Sequence, residues 1–177
     1  MWQWLLNLFK GKKELSKEEI LLEALKESEI ENPIEQDMFM AQMAHETGDF
    51  HYDEEIASGE AYEGRKDLGN TEPGDGKRFK GRGYIQITGR SNYKHFGDKI
   101  GIDLIADPEK AKDPEIAAKV AIAYWLERVN RKAARSGDVI TVTRNINGGI
   151  NGLEDRIDKF QYYQEKRRML KNKVEIA

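Results

Sequence analysis

Cysteine is absent from all 177 residues, which removes disulfide staples, thiolate zinc sites and cysteine nucleophiles from the available chemistry. Small secreted proteins often carry disulfides, so this absence predicts cytosolic synthesis. An excess of charge of one sign is also lacking. Lys plus Arg number 29 against 32 Asp plus Glu, a net charge of −3, so no global field attracts a polyanion and no nucleic-acid partner is expected. Long hydrophobic runs are missing too. The apolar N-terminal stretch "WQWLLNLF" is well short of the ~20 residues that span a bilayer, and it has neither the basic start nor the cleavage site of a signal peptide. Proline is scarce, with four residues, and two of them stand at helix starts.

The length is that of one ordinary domain with its own core. A single domain over 1–177 is expected, with an amphipathic segment at 1–15 and the core at 16–171. Ser16 precedes Glu19 by three residues, a capping box that opens "KEEILLEALKES". Asn32-Pro33 opens a second helix and Gly48 marks its end; Asp113-Pro114 repeats the device before "EIAAKVAIAYWLERV". A last helix runs from about Asn151 toward Lys171, with Leu153, Ile157, Phe160 and Leu170 on one side. Residues 56–83 show no sustained period, and an unstructured stretch of that length is usually functional.

Trp2, Leu5, Leu6 and Phe9 fall at i, i+3, i+4 and i+7, one face of a helix. Docking on the domain is favoured over adsorption to anionic lipid, although Lys10, Lys12, Lys13 and the basic "EKRRMLKNK" of 165–173 would suit weak contact with a membrane surface. "GRGYIQITGR" is expected to be a strand. Ile85 and Ile87 then face the core, while Tyr84, Gln86 and Thr88 face a ligand.

The stretch "HETGDFHYDEE" at 45–55 packs two histidines and five carboxylates into eleven residues. Zinc is disfavoured, because His45 and His51 are six apart with Gly48 between them and His95 is remote. No metal is expected. Glu46 lies two residues before the helix stop, where unpaired carbonyls make the potential negative and favour a protonated acid. That suits a general acid. An inverting glycosidase sets its second carboxylate ~6.5–9.5 Å away, leaving room for a water. Glu55 is nine residues on, ~13.5 Å along an unbroken helix, so the break at Gly48 is needed to bring it back. Spacing alone leaves Asp53, Glu54, Glu60 and Glu63 open as partners.

Three stretches in order, "AHETGDFHYDEE", "PGDGKRFKGRGYIQITGRSNY" and "NINGGINGLEDR", resemble the glycoside hydrolase family 19 domain of chitinases and phage endolysins, over roughly residues 35–165. The resemblance implies a mainly α (α+β), lysozyme-like, two-lobed helical domain with a small β element beside the cleft. By the same resemblance Glu46 is the general acid, Glu55 the general base, and Thr88 helps hold the attacking water. Gln86, Asn92, Asn147 and Arg156 line the cleft, with Tyr84 beside them where chitinases usually carry proline, and Gly89 replaces a position often aromatic in them. Arg156 is expected to support the base rather than the acid, and His45 to be structural.

No cofactor is implied, and a monomer acting on peptidoglycan glycan strands is expected. The basic cluster Lys77, Arg78, Lys80, Arg82 and Arg90 holds no acid between 77 and 90 and suits an anionic wall polymer. Such a lysin waits in the host cytoplasm until lysis and then reaches the wall. A chitinase, a non-catalytic wall-binding module and a zinc amidase are the alternatives.

Overall fold

The computed structural model of the chain describes residues 14–176. Of the amphipathic segment expected at 1–15, residues 1–13 lie outside them. Eight α-helices occur among the described residues, linked by short 3₁₀ turns at Glu60–Tyr62, Lys66–Leu68 and Pro108–Lys112. They are α1 (Lys17–Lys26), α2 (Pro33–Glu46), α3 (Asp75–Arg78), α4 (Arg90–Ile100), α5 (Pro114–Arg128), α6 (Arg131–Ser136), α7 (Val139–Asn147) and α8 (Leu153–Ile176).

The helix starts follow their capping chemistry. Ser16 accepts from the Glu19 amide while Glu19 reaches back to the Ser16 amide, so two orphan donors of α1 are satisfied reciprocally. Asn32 accepts from the Ile34 and Glu35 amides ahead of Pro33, and Asp113 does the same for Glu115 and Ile116. From Met38 to Ala44 every residue of α2 is buried, so this stretch has no solvent face and forms the centre of the domain. The long α8 lies along it, α6 also packs on it, and α5 packs against α1 and α4. Phe39 and Trp125 meet edge to face at 5.2 Å between ring centres and join α2 to α5.

The fully buried Glu35 carboxylate takes hydrogen bonds from Arg131 at 2.6 Å, Arg135 at 2.8 Å and Trp125 at 3.1 Å. A charge in the core is tolerated only when its lone pairs are claimed in this way. Burial alone pushes its carboxyl up, but the Arg131, Arg135 and Trp125 hydrogen bonds outweigh burial and hold it below the usual glutamate range.

Two expectations need correction. Leu170 does not continue the buried side of the last helix; it is exposed, as is Met169, while Phe160 and Tyr163 are buried. "GRGYIQITGR" is not a strand. Gly83 (φ 77°) and Gln86 (φ 49°) turn the backbone into the left-handed region, which destroys the period of two on which alternation depends. Arg82 and Ile87 instead pair across a tight loop, and Glu54 bridges to Arg82 from the other side. The small β element thus consists, among the described residues, of these two isolated bridges. No described helix is long and apolar enough to cross a membrane.

Candidate active site

Glu46 is the last residue of α2, and the chain reverses directly after it. Gly48, Asp49 and Phe50 all have positive φ, between 55° and 66°, a run that costs roughly 1–2 kcal/mol per non-glycine residue. Four hydrogen bonds hold it. The Thr47 hydroxyl donates to the Met43 carbonyl and accepts from the Phe50 amide, while the Asp49 and Tyr52 amides return to Ala44 and Thr47. The strained turn brings residues 53–55 alongside 81–83, where the Glu55 amide donates to the Gly81 carbonyl at 2.9 Å and the Gly83 amide to the Asp53 carbonyl at 2.7 Å.

Arg156 reaches Glu46 from α8. Its side chain is buried, and one guanidinium nitrogen lies 2.5 Å from Glu46 Oε1 while the other bonds the Gln42 carbonyl oxygen. Gln42 and Glu46 are four apart on α2, so both face the same arginine. The expectation that Arg156 supports the base is therefore corrected: α8 packs along α2, and the cation meets the carboxylate on that helix. His45, next to Glu46, points to α8 as well. Its Nδ1 lies 2.6 Å from an Asp155 oxygen, and a side chain at Gly152 would put its Cβ 2.1 Å from the imidazole. His45 is thus held as a packing and hydrogen-bonding residue.

Of the five acids left open as the partner of Glu46, four have other attachments. Asp53 pairs with Lys17 at 2.8 Å, Glu54 with Arg82 at 2.8 Å and Lys80 at 3.3 Å, and Glu60 with Lys77 at 2.8 Å. Glu63 accepts from the Gly74 and Gly76 amides at 2.6 and 2.8 Å. Glu55 differs. Its carboxylate accepts from the Tyr62 hydroxyl at 2.9 Å through Oε2, and Oε1 is buried with no hydrogen-bond partner. Burial, and then the hydrogen bond to Glu55, push the Tyr62 phenol up, so it remains a donor.

Gln86, Thr88 and Glu55 lie together around Gly81. A Cβ built on Gly81 would lie 3.3 Å from Glu55 Oε2, 3.3 Å from Thr88 Oγ1 and 2.9 Å from Gln86 Oε1. Gln86 is held by a bond from its amide nitrogen to the Gly83 carbonyl at 2.8 Å, and Thr88 by a bond from its hydroxyl to the Gln86 carbonyl at 3.1 Å. Asn92, in the first turn of α4, donates to the Thr88 carbonyl at 2.8 Å and accepts from Arg128 at 2.9 Å. Arg128 lies over the rings of Phe96 and Tyr124, 4.9 and 5.0 Å from their centres. Tyr124 in turn feels Glu46: its phenol is pushed up by burial, Arg128 opposes that, and the Glu46 charge adds to it. Direct contacts therefore run from Tyr124 through Arg128 and Asn92 to Thr88, and Glu46 acts on Tyr124 through its charge alone.

The family model Glyco_hydro_19, described as chitinase class I, matches residues 31–149. The chain belongs to glycoside hydrolase family 19. It is 32% identical over 157 residues to a glycosyl hydrolase family 19 domain-containing protein of Haemophilus influenzae, covering 71% of this chain and 76% of that one. An endochitinase of Arabidopsis thaliana, At2g43610, is 40% identical over 111 residues, covering 62% of this chain and 38% of the plant protein, so the chain spans well under half of that relative. Among solved structures, chitinase C from Streptomyces griseus HUT6037 superposes with a TM-score of 0.67 at 26% identity, covering 82% of this chain and 81% of that one. A family GH19, class IV chitinase from Zea mays gives 0.67 at 29%, covering 89% and 84%. The mainly helical, lysozyme-like fold is shared with these family 19 neighbours.

Two further site expectations change within this family 19 frame. Tyr84 does not line the cleft: it is 3% exposed, its hydroxyl donates to the Lys17 carbonyl at 2.7 Å, and its ring meets Phe50. The Gly83 turn that replaces the strand rotates it into the core. The basic cluster is largely neutralised by acids outside the 77–90 window. Arg82 is buried between Glu54 and Glu109, Arg90 forks onto the buried Asp75, Lys77 pairs with Glu60, and Lys80 with Glu54. Arg78 donates to the Ile105 carbonyl. Asn147 ends α7 in an exposed position and, among the described residues, has no hydrogen bond to the other candidates.

Tyr62, Tyr124 and Arg128 are site residues that pattern reading overlooks. Tyr124 and Arg128 are four apart on α5, offset from its buried stripe of Ala117, Val120, Ala121 and Trp125. A helical projection that asked which polar-tipped residues border the core face would have flagged both.

Proposed function

We propose that this family 19 glycoside hydrolase cleaves β-1,4 bonds in the glycan strands of peptidoglycan, as a muramidase, by single displacement with inversion. The observation that carries the mechanism is the neighbourhood of Glu55: its carboxylate is anchored by the neutral Tyr62 phenol and lies with Thr88 and Gln86 around Gly81, while Arg156 holds Glu46 on α2. The roles of acid for Glu46 and base for Glu55 are those the family resemblance implies. In the reaction Glu46 gives its proton to the glycosidic oxygen as the bond to the anomeric carbon breaks. A water attacks that carbon from the opposite face and its proton passes to Glu55, so one water is consumed and the configuration inverts.

Arg128 supports a charged polymer. It is bonded to the Asn92 side-chain amide and lies over the rings of Phe96 and Tyr124. Its carboxylate neighbour Glu127, at 3.6 Å, is shared with His95 and Lys99. Cleavage of chitin is the second reading, favoured by the neutralised cations of the 77–90 loop and by the chitinase names of the plant and Streptomyces relatives. In the peptidoglycan reading the enzyme stays in the host cytoplasm until lysis and acts as a monomer without cofactor.

Mass spectrometry of fragments released from purified sacculi, beside a parallel digest of chitin oligosaccharides, tests the proposal. Reducing-end N-acetylmuramic acid is the expected product. Reducing-end N-acetylglucosamine from sacculi makes the enzyme a glucosaminidase, and cleaved chitin with intact sacculi makes it a chitinase. Release of free stem peptides removes the glycosidase reading.

A further inference from the structure

We infer that Tyr62 and Gly81 build the seat of the attacking water: Tyr62 positions the Glu55 carboxylate, and the missing side chain of Gly81 keeps the seat open. The inference rests on the two-glutamate reading of the site. Three oxygens, Glu55 Oε2, Gln86 Oε1 and Thr88 Oγ1, surround the hydrogen face of Gly81 at 2.9–3.3 Å from the position of a built Cβ. All three can accept hydrogen bonds. A water lying outward along that direction has two hydrogens to place among them, and its lone pair is left for the anomeric carbon.

Gly81 has no positive φ, unlike Gly83 and Gly89. Backbone conformation therefore does not demand glycine at 81. Its Cβ would crowd the far end of a glutamine side chain and two other side-chain oxygens rather than backbone. The neighbouring Gly83 contrasts with it, since a Cβ there would lie 2.8 Å from the Ala111 carbonyl oxygen. Glycine at 83 thus has a packing reason, whereas at 81 the excluded volume falls on the reacting groups.

Tyr62 is a positioning residue because it touches Glu55 and acts through it. An unanchored carboxylate rotates about its side-chain torsions, and each donor that fixes it removes that freedom. The Tyr62 hydroxyl at 2.9 Å locks Oε2 toward the seat, and Oε1, buried and without a partner, offers no competing anchor. The nearby Lys80 ammonium donates to the Glu55 backbone carbonyl at 3.4 Å and pairs with Glu54, which leaves Tyr62 as the side-chain donor that fixes this carboxylate among the described contacts.

The test compares Gly81→Ala, Tyr62→Phe and Glu55→Gln in the full chain, on soluble glycan strands and chitin oligosaccharides, with melting temperature as the check on folding. Gly81→Ala is expected to melt within about 2 °C of the parent, to lose roughly 100-fold in kcat, and to change KM less than threefold, because the water is displaced rather than the sugar. Tyr62→Phe is expected to lose roughly tenfold in kcat with KM changed less than threefold and a melting temperature within about 2 °C of the parent, since the carboxylate loses the donor that orients it. A purely packing role for Tyr62 lowers the melting temperature and leaves kcat unchanged in the folded protein. Normal kcat in a folded Gly81→Ala or Tyr62→Phe protein overturns the inference while an inactive Glu55→Gln leaves the two-glutamate reading standing. An active Glu55→Gln overturns that reading itself. If Gly81→Ala does not fold, the steric account of the glycine is wrong, since its premise is that the methyl meets only movable side-chain ends.

Discussion

Arg156→Leu removes the guanidinium that joins α8 to α2 and leaves two acceptors behind it. Gln42 is fully buried and its carbonyl oxygen loses its donor, a loss of about 1–3 kcal/mol. Glu46 keeps 20% of its side chain exposed, so water recovers part of what it loses. Breaking a wholly buried ion pair costs about 3–5 kcal/mol, and the partial exposure of Glu46 places the expected total toward the lower end, about 3–4 kcal/mol. For a domain of this size that corresponds to a fall of roughly 6–16 °C in melting temperature, read by circular dichroism at neutral pH. Activity falls as well, by about 100-fold, because the acid is no longer held against the bond. Arg156→Lys keeps the charge but loses the two-pronged geometry and lies between parent and Leu in both readouts. A melting temperature within 2 °C of the parent with wall lysis intact refutes the reasoning, since neither Gln42 nor Glu46 then depends on Arg156.

Glu46→Gln keeps the shape of the acid without its proton, and a loss of about 10²–10⁴-fold in kcat is expected in a folded protein. Glu54→Gln instead weakens the buried Arg82 and lowers melting temperature more than turnover; a larger loss of turnover than in Glu55→Gln means that the base is misplaced. Thr88→Val keeps the β-branched shape and removes the hydroxyl, so steady-state kinetics should show a lower kcat with wall binding nearly unchanged, and lost binding with normal turnover contradicts the role. Glu35 supplies a pH dependence. Its folded-state carboxyl is held below the ordinary 4.5, so its stabilising contribution is fully present above that pH and is lost as pH falls below it. Glu35→Gln should flatten the acid limb of a melting temperature–pH series, and an unchanged slope places the acid sensitivity elsewhere.

Helices were legible where local chemistry writes them: Ser16 with Glu19, Asn32 with Pro33, and Asp113 with Pro114 each mark a cap that the structure contains. The helix end beside Glu46 was legible for the same reason, because Gly48 is a local signal. Failures arose where distant residues decide the outcome. Alternation in "GRGYIQITGR" is a true pattern, but the backbone turn at Gly83 and Gln86 overrides it, and Tyr84 is carried into the core with the turn. The basic cluster reads as free charge only within its own window; Asp75 lies just before that window, and Glu54, Glu60 and Glu109 are brought to it by the fold. Arg156 could be assigned to the neighbourhood of a catalytic carboxylate, yet which carboxylate depends on α8 lying along α2, a packing fact with no local signature. Tyr62 sits in a stretch without period, and only the geometry around Glu55 distinguishes it.

The central claim is that Glu55 directs a water at the anomeric carbon in one displacement, and the anomeric configuration of the first product reports that directly. Proton NMR of a soluble β-1,4-linked glycan, recorded during hydrolysis and before mutarotation, is predicted to show the α-anomer appearing first, with the β-anomer growing in afterwards. Initial accumulation of the β-anomer means retention through a covalent or substrate-assisted intermediate, and it contradicts the account.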